Sequence, residues 1–300
     1  METPSAAHPL MILALDHRDS YEKTLFHVDP AAVDKAALAT MRRHKTLVYE
    51  GLLAARGDLG DGVPGVLVDE LLGSEVQRRA KADGVVLAIP VEKSGEKLFS
   101  LEYGERTPEH VAANDPDYVK VLVRMNPDDE DQDVQLQRLS ELSRWLQESR
   151  IPFLYELLVP ASDKQLEQVG GDKDAYDRDL RPGLVVDVIK ANQAAGVQPV
   201  LWKIEGLETA DAAREVVRAA RAGGDGDVAC IVLGRDAPQD RLDHWLQVAA
   251  GVDGFVGFAI GRSIWQDAIE AHLKDGDDAR MIETVSANYR HFATTYLDAR

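Results

Sequence analysis

The most regular feature of the chain is an alternation of short apolar runs and longer amphipathic stretches. Each short run has the length of a β-strand, and the stretches between them carry apolar residues at helical spacing. The predicted strands cover residues 10–16, 66–69, 85–91, 118–125, 152–159, 199–205, 228–234 and 254–260. Strands that alternate with helices in this way form parallel sheets.

Eight strand–helix units predict that the sheet closes into an α/β fold of the (β/α)8 TIM-barrel type. Such barrels commonly occupy about 250 residues as a single domain, and this chain has 300 residues. An open dinucleotide-binding sheet would need a glycine fingerprint after its first strand, and none is found there. We therefore predict one barrel domain over residues 1–300 with a closing amphipathic helix at about 279–297, whose outer face also suits a homo-oligomer.

Charge and cysteine content narrow the function classes. Lys and Arg total 34 against 52 Asp and Glu, a net charge of -18, which repels phosphate backbones and anionic lipid surfaces. We expect no nucleic-acid partner and no membrane partner. The single cysteine, Cys230, lies in an apolar run and is expected to be buried. Residues 1–9 carry no readable targeting signal, so we expect a cytoplasmic protein.

Two segments interrupt the regular pattern. Residues 126–133 contain five acidic residues and are interpreted as a solvated loop followed by a helix start. Residues 161–182 form a long connection rich in Gly, Asp and Lys on the side of the barrel where catalytic loops lie. This second segment is a candidate lid.

Active sites of these barrels are built where strands end and the following loops begin. The informative residues are therefore the polar side chains and glycines within or just after the apolar runs. They are Asp16, His17, Arg18, Asp69, Glu70, Glu92, Lys93, Lys120, Arg124, Glu156, Lys203, Glu205, Gly234, Arg235, Gly261, Arg262 and Ser263.

Strand parity singles out Lys203 as a candidate nucleophile. Side chains two residues apart share a face of a strand, so Lys203 lies with Leu201 and Glu205, while Trp202 and Ile204 face the helices. A lysine inside the barrel, desolvated and beside a second cation, has the chemistry of an imine-forming residue. The alternative is an internal Lys–Glu ion pair without a chemical role.

Lys120 and Glu156 are placed on the same interior face by the same argument. Glu156 is the candidate general acid and base, because a carboxylate near an amine can transfer the protons that imine chemistry requires. Lys120 is either the second cation that favours a neutral amine on Lys203 or a counter-ion for Asp16 or Glu156. These two roles are compatible.

Two Gly-Arg pairs follow the last two strands, Gly234 with Arg235 and Gly261 with Arg262. Many barrels bind phosphate at this place through glycine amides, a helix start and a cation. Ser263 either adds a hydroxyl to such a site or caps the next helix. Of the eight histidines only His17 lies at a strand end, so no metal-ligand cluster is readable and we expect neither a metal nor a cofactor.

The motifs resemble a known family when they are taken in order. They are LALDHRDS at 13–20, VLVDE at 66–70, PVEKSG at 90–95, VKVLVR at 119–124, PFLYELLVP at 152–160, LWKIEGL at 201–207 and FAIGRSIW at 258–265. The chain resembles class I, Schiff-base aldolases of the tagatose 1,6-bisphosphate aldolase group. It is more similar to the aldolase-like domain of unknown function associated with 5-dehydro-2-deoxygluconokinase in inositol catabolism, and the segment RPGLVVDVIKANQAAGVQP before LWKIEGL carries that likeness.

The resemblance implies a role for each matching position. Lys203 matches the imine-forming lysine, Glu156 the acid/base glutamate, Lys120 the second active-site lysine and Asp16 the acidic residue of the first strand. Arg262 matches an arginine that binds the substrate's anionic group. The chain departs from the tagatose branch at His17, where that branch typically has glutamine, and in LGRDA after the seventh strand, which suggests that Arg235 belongs to a remodelled anion site.

The expected activity is a metal-independent retro-aldol cleavage of a phosphorylated ketose or keto sugar acid. The resemblance implies 2-deoxy-5-keto-gluconate 6-phosphate, cleaved to dihydroxyacetone phosphate and malonate semialdehyde. From their places at strand ends, we expect Arg18, His17 and Asp69 among the residues that bind this small sugar phosphate. Tagatose 1,6-bisphosphate and a sulfo-sugar phosphate are alternative substrates. A non-catalytic sugar-phosphate-binding regulatory module is the alternative of another class, against which the complete set of imine-forming residues argues.

Overall fold

A computed structural model describes residues 5–223 and 227–300, and its eight parallel strands close into one barrel in the order of the chain. This confirms the predicted (β/α)8 fold. The strands are β1 Leu10–Leu15, β2 Val63–Val68, β3 Val86–Pro90, β4 Tyr118–Arg124, β5 Phe153–Leu158, β6 Leu201–Glu205, β7 Ala229–Leu233 and β8 Phe255–Ile260. The predicted start of β2 was too late, because Pro64 and Gly65 interrupt the apolar pattern by which the strand was recognised.

Helices cover the outside of the barrel. They are α1 Asp19–Leu25, α2 Lys35–Ala55, α3 Glu70–Ala80, α4 Thr107–Asn114, α5 Gln132–Glu148, α6 Asp163–Gln168, α7 Lys173–Ala175, α8 Arg181–Ala194, α9 Ala210–Ala222, α10 Gln239–Ala250, α11 Arg262–Asp275 and α12 Asp278–Asp298. Short 3-10 turns lie at Pro30–Ala32, Arg56–Asp58 and Gly104–Arg106, and a π-helical segment, Tyr176–Leu180, joins α7 to α8.

The barrel closes where β8 pairs with β1, and a glycine makes this pairing close. Gly257 lies opposite Leu10 in the register and has a φ of 131°. A Cβ at this position would lie 1.9 Å from the carbonyl oxygen of Leu10, so only glycine fits. The predicted C-terminal helix is α12, which packs on α2 and α11 across the same seam.

The core has two layers separated by the sheet. Leu10, Leu154 and Leu201 belong to the layer inside the barrel, whereas Trp202 and Ile204 belong to the larger layer between strands and helices. Alternate residues of β6 therefore face opposite sides, as the strand period requires. Among the described residues, no helix is long and apolar enough to cross a membrane.

Candidate active site

A cavity of about 290 Å³ opens at the carboxyl ends of the strands. Its lining includes residues that follow β1, β3, β7 and β8, together with side chains from within β4, β5 and β6. Of the predicted site residues, it contains Asp16, His17, Arg18, Glu156, Lys203, Gly234, Arg235, Gly261, Arg262 and Ser263. Residues far apart in the sequence thus meet at the mouth of the barrel.

Lys203 lies on the inner face of β6 and is almost fully buried. Its side chain is 3% exposed, and its Nζ lies 2.9 Å from Oε1 of Glu156 on the neighbouring strand β5. The two residues are directly opposite each other in the β5–β6 register. A buried amine that touches one carboxylate and lines a cavity has a partner for proton exchange within hydrogen-bond distance.

Lys120 lies beneath the cavity with no exposed surface and contacts three carboxylates. Its Nζ lies 2.6 Å from Oδ2 of Asp16, 2.8 Å from Oε1 of Glu92 and 2.9 Å from Oε2 of Glu156. Glu156 therefore joins both lysines, with one oxygen toward each. This geometry agrees with the counter-ion role considered for Lys120.

The charges of this cluster oppose the effect of burial. Burial raises the pKa of Asp16, but Lys120 and His17 outweigh it and hold the pKa far below its ordinary value. Burial likewise raises the pKa of Glu156, and Lys120 and Lys203 lower it overall. Burial lowers the pKa of Lys120, yet the carboxylates of Asp16, Glu156 and Glu92 raise it well above its ordinary value. The cluster therefore holds Lys120, Asp16 and Glu156 in their charged forms.

Glu92 belongs to this cluster, although the sequence analysis gave it no role. Burial raises its pKa, against the opposing effects of Lys120 and Arg18. Its Oε2 is buried and makes no hydrogen bond with the described residues. Parity offered a signal that was not used, because Glu92 continues the alternation of Ala88 and Pro90 beyond the end of β3.

His17 forms one wall of the cavity beside Asp16. Its ring packs edge-on against Trp265, with 5.2 Å between ring centroids, and its buried Nδ1 makes no hydrogen bond with the described residues. Burial lowers the pKa of His17 to about 4, although Asp16 acts in the opposite direction. Near pH 7 the ring is neutral and presents one donor and one acceptor.

The candidate anion site lies at the start of α11. Gly261 is the N-cap residue of this helix, so Ser263 is not its cap. Gly234 also lines the cavity and follows β7, the strand that pairs with β8. The Arg262 side chain is 36% exposed, and its NH1 lies 3.0 Å from Oδ2 of Asp236. A helix start with an adjacent guanidinium is suited to a phosphate.

Arg235 is held by two carboxylates. Its guanidinium contacts both oxygens of Asp177, at 2.8 and 2.9 Å, and lies 2.9 Å from Oε1 of Glu205. Arg235 and Asp236 both have a positive φ, 49° and 59°, a conformation that is strained for residues other than glycine. Ion pairs from both residues therefore hold the loop after β7 in place.

Asp177 comes from the connection over residues 161–182, which contains α6, α7 and the π-helical segment. It is buried and also accepts a hydrogen bond from Arg181 at 2.9 Å. The carboxylate of Asp177 thus binds this connection to the loop after β7. No strand end or motif marked Asp177 in the sequence, so parity gave no signal for it.

Two predicted binding residues, Arg18 and Asp69, make hydrogen bonds to other parts of the structure. Arg18 donates to Oε2 of Glu102 at 3.0 Å and to the carbonyl oxygen of Glu92 at 2.8 Å, at the edge of the cavity. Asp69 does not line the cavity, because its carboxylate caps α3 and pairs with Lys45 behind β1. Among the described residues, no group of His, Cys, Asp and Glu side chains converges in a way that would hold a metal ion.

The chain was compared with known families and structures. The DUF2090 family, described as an uncharacterized protein conserved in bacteria, matches residues 2–300. No curated protein matches. A fructose-bisphosphate aldolase from Plasmodium falciparum, 14% identical, superposes with a TM-score of 0.63 over 95% of this chain and 90% of its own. An archaeal fructose 1,6-bisphosphate aldolase, 13% identical, gives a TM-score of 0.57 over 98% and 95%.

Another archaeal fructose-1,6-bisphosphate aldolase carries its catalytic lysine covalently bound to the carbinolamine intermediate of the substrate. It is 14% identical to this chain and gives a TM-score of 0.54 over 95% of both chains. At such low identities these likenesses establish a shared fold.

Proposed function

We propose that this chain, which belongs to the DUF2090 family, is an aldolase that forms an imine on Lys203. The observation that carries the proposal is the contact between a buried amine and a carboxylate in the cavity, with Lys203 Nζ 2.9 Å from Glu156 Oε1. The similar fold of an aldolase whose lysine binds a carbinolamine intermediate supports the same chemistry. Lys120 and Asp16 complete the set of charged groups.

Imine formation begins with proton transfer from the ammonium of Lys203 to Glu156. The neutral amine attacks the keto carbonyl of the substrate and forms a carbinolamine. The protonated Glu156 then returns the proton to the carbinolamine hydroxyl, which leaves as water while the C=N bond forms. Lys120 remains charged throughout and keeps the carboxylates of Asp16 and Glu156 in position.

Carbon–carbon cleavage uses the positive iminium nitrogen as the electron acceptor. A carboxylate, for which Glu156 is our candidate, removes the proton of the hydroxyl group on the carbon β to the imine. The bond between the α and β carbons breaks, and the β carbon leaves as an aldehyde. The electron pair of the broken bond forms an enamine on Lys203. Protonation of the enamine and hydrolysis of the imine release the second product.

The proposed substrate is 2-deoxy-5-keto-gluconate 6-phosphate, which has an anionic group at each end. The start of α11 with Arg262 suits its phosphate. Arg124, which extends the interior face of β4 beyond Lys120, lines the same cavity, and its guanidinium makes no ion pair within residues 5–223 and 227–300. This exposed cation suits the carboxylate, and the motif resemblance supports the same choice.

The experiment that tests this function compares three substrates with the purified chain. The substrates are 2-deoxy-5-keto-gluconate 6-phosphate, tagatose 1,6-bisphosphate and a sulfo-sugar phosphate. Cleavage of each is measured as the rate of triose phosphate release, with and without a chelator. We expect the keto acid phosphate to have a kcat/KM at least about tenfold higher, equivalent to about 1.4 kcal/mol, and no effect of the chelator. A higher kcat/KM for one of the other two compounds would contradict the proposed substrate. Cleavage of none of the three would contradict the proposed aldolase function.

A further inference from the structure

A buried lysine outside the cavity holds the backbone on both sides of Asp16. Lys45 lies on α2 with 1% of its side chain exposed. Its Nζ donates to the carbonyl oxygen of Leu15 at 2.5 Å and to that of His17 at 3.0 Å. The third partner is the carboxylate of Asp69. All three donors of the ammonium group are therefore in use.

Asp69 anchors this arrangement to the next strand and helix. It follows β2 directly and is almost fully buried, and its Oδ1 accepts a hydrogen bond from the amide of Leu72 at 2.8 Å, which caps α3. Lys45 thus ties the end of β1 to the end of β2. A buried ion pair contributes little net stability compared with an apolar pair, but it defines one geometry.

Asp16 lies between the two residues whose carbonyl oxygens accept hydrogen bonds from Lys45, and its carboxylate contacts Lys120. Oδ2 of Asp16 lies 2.6 Å from Lys120 Nζ, and β1 ends at Leu15, just before it. Asp16 and His17 therefore lie beyond the ladder bonds of the barrel, in a segment that other groups must hold. Lys45 supplies that restraint from the helix side of the sheet.

We propose that Lys45 is a positioning residue that fixes the peptides around Asp16, so that its carboxylate remains on Lys120 at the edge of the cavity. The inference rests on the proposed function, because it assigns Lys45 a part in the same reaction. Lys45 itself does not line the cavity. Its effect on catalysis must therefore pass through Asp16.

The test uses a double variant, Lys45→Met with Asp69→Asn, which removes both charges together and leaves no buried charge unpaired. Asparagine preserves the capping oxygen for α3. The control is Tyr289→Phe, which removes a 2.7 Å hydrogen bond to the carbonyl oxygen of Met11, earlier in the same strand. Both changes loosen β1, but only the first acts beside Asp16.

We expect the double variant to lower kcat by about 10²-fold, the loss that small displacements of catalytic groups produce, and the control to leave kcat within about twofold. Each change is then repeated in an Asp16→Asn background. If Lys45 acts through Asp16, adding the double variant to Asp16→Asn should lower kcat by less than about a further threefold, because the two effects are not additive. An equal loss in both backgrounds would overturn the proposal, and so would an unchanged kcat.

A second measurement needs no substrate. Crystal structures of the double variant and of Tyr289→Phe report the distance from Asp16 Oδ2 to Lys120 Nζ, which is 2.6 Å in the intact protein. Release of the peptide should lengthen it beyond hydrogen-bond distance in the double variant and leave it unchanged in Tyr289→Phe. If the wild type cleaves no substrate, the proposed function fails, and an unchanged distance in the double variant would overturn the clamp independently.

Discussion

Replacing Lys120 with methionine should reverse the way in which the cluster responds to pH. Each contact of Lys120 with Asp16, Glu92 and Glu156, at 2.6 to 2.9 Å, is worth roughly 6 kcal/mol of attraction at an effective dielectric constant of about 20. Most of this offsets the cost of burying the charges, so removing one partner commonly costs about 3–5 kcal/mol. We expect that loss in the free energy of unfolding at pH 7.

The sign of the pH dependence follows from the carboxyl groups. In the wild type, the pKa values of Asp16 and Glu156 are lowered, so their contribution is present above the ordinary values of 3.8 and 4.5 and is lost as the pH falls through the folded values. Without Lys120, burial should outweigh the remaining positive groups, Lys203 and His17, and raise both pKa values. The free energy of unfolding of the variant should then be lowered above pH 4.5, where the carboxylates are ionised, and should recover as they become protonated.

Urea unfolding at pH 7, 6 and 5 measures the difference between the two proteins. It should shrink as the pH falls, and Glu92→Gln added to Lys120→Met should recover part of the loss by removing an uncompensated carboxylate. Lys190→Met, at an exposed lysine of α8, should change stability by less than about 0.5 kcal/mol. A difference that stays constant from pH 7 to 5 would refute the electrostatic reasoning.

Three further changes test the walls of the cavity. Arg262→Ala should lower kcat/KM by about 10²-fold for a phosphorylated substrate, and an equal loss with the unphosphorylated analogue would make the residue structural. Gly261→Ala would place a Cβ 2.7 Å from the carbonyl oxygen of Ala14 and 2.9 Å from His17 Cε1; we expect a kcat lower by about tenfold, which unchanged kinetics would contradict. Because the pKa of His17 is lowered to about 4, its stabilising contribution is present above 6.5 and lost as the pH falls toward 4. His17→Gln should therefore reduce the acid-induced loss of unfolding free energy by about 2 kcal/mol, a value that allows for partial exposure of the ring. Thermal or urea unfolding measures this loss, and the same loss in wild type and variant would contradict the prediction.

The sequence predicted the barrel and its interior face because both depend on periodic patterns. Alternation within β6 placed Lys203 and Leu201 on one side and Trp202 on the other, as found. Glu156 and Lys203 were predicted on separate strands, and the register then places them opposite each other. Period and strand order were sufficient for these residues.

Contacts between distant segments were not predictable in this way. Asp177 reaches Arg235 from a π-helical segment that has no strand period. Asp69 follows a strand as a site residue would, yet Lys45 from α2 captures it behind the sheet. Both outcomes depend on how helices and connections pack on the barrel, and a single sequence carries no local signal for that packing.

The most direct test of the account is borohydride reduction of the chain during turnover of 2-deoxy-5-keto-gluconate 6-phosphate, followed by mass measurement of its peptides. Reduction converts an imine into a stable amine, so the substrate carbon should remain attached to Lys203. Lys203→Met should keep the fold, acquire no adduct and show no cleavage. Trapping on a different lysine, or cleavage that continues in Lys203→Met, would contradict the central claim.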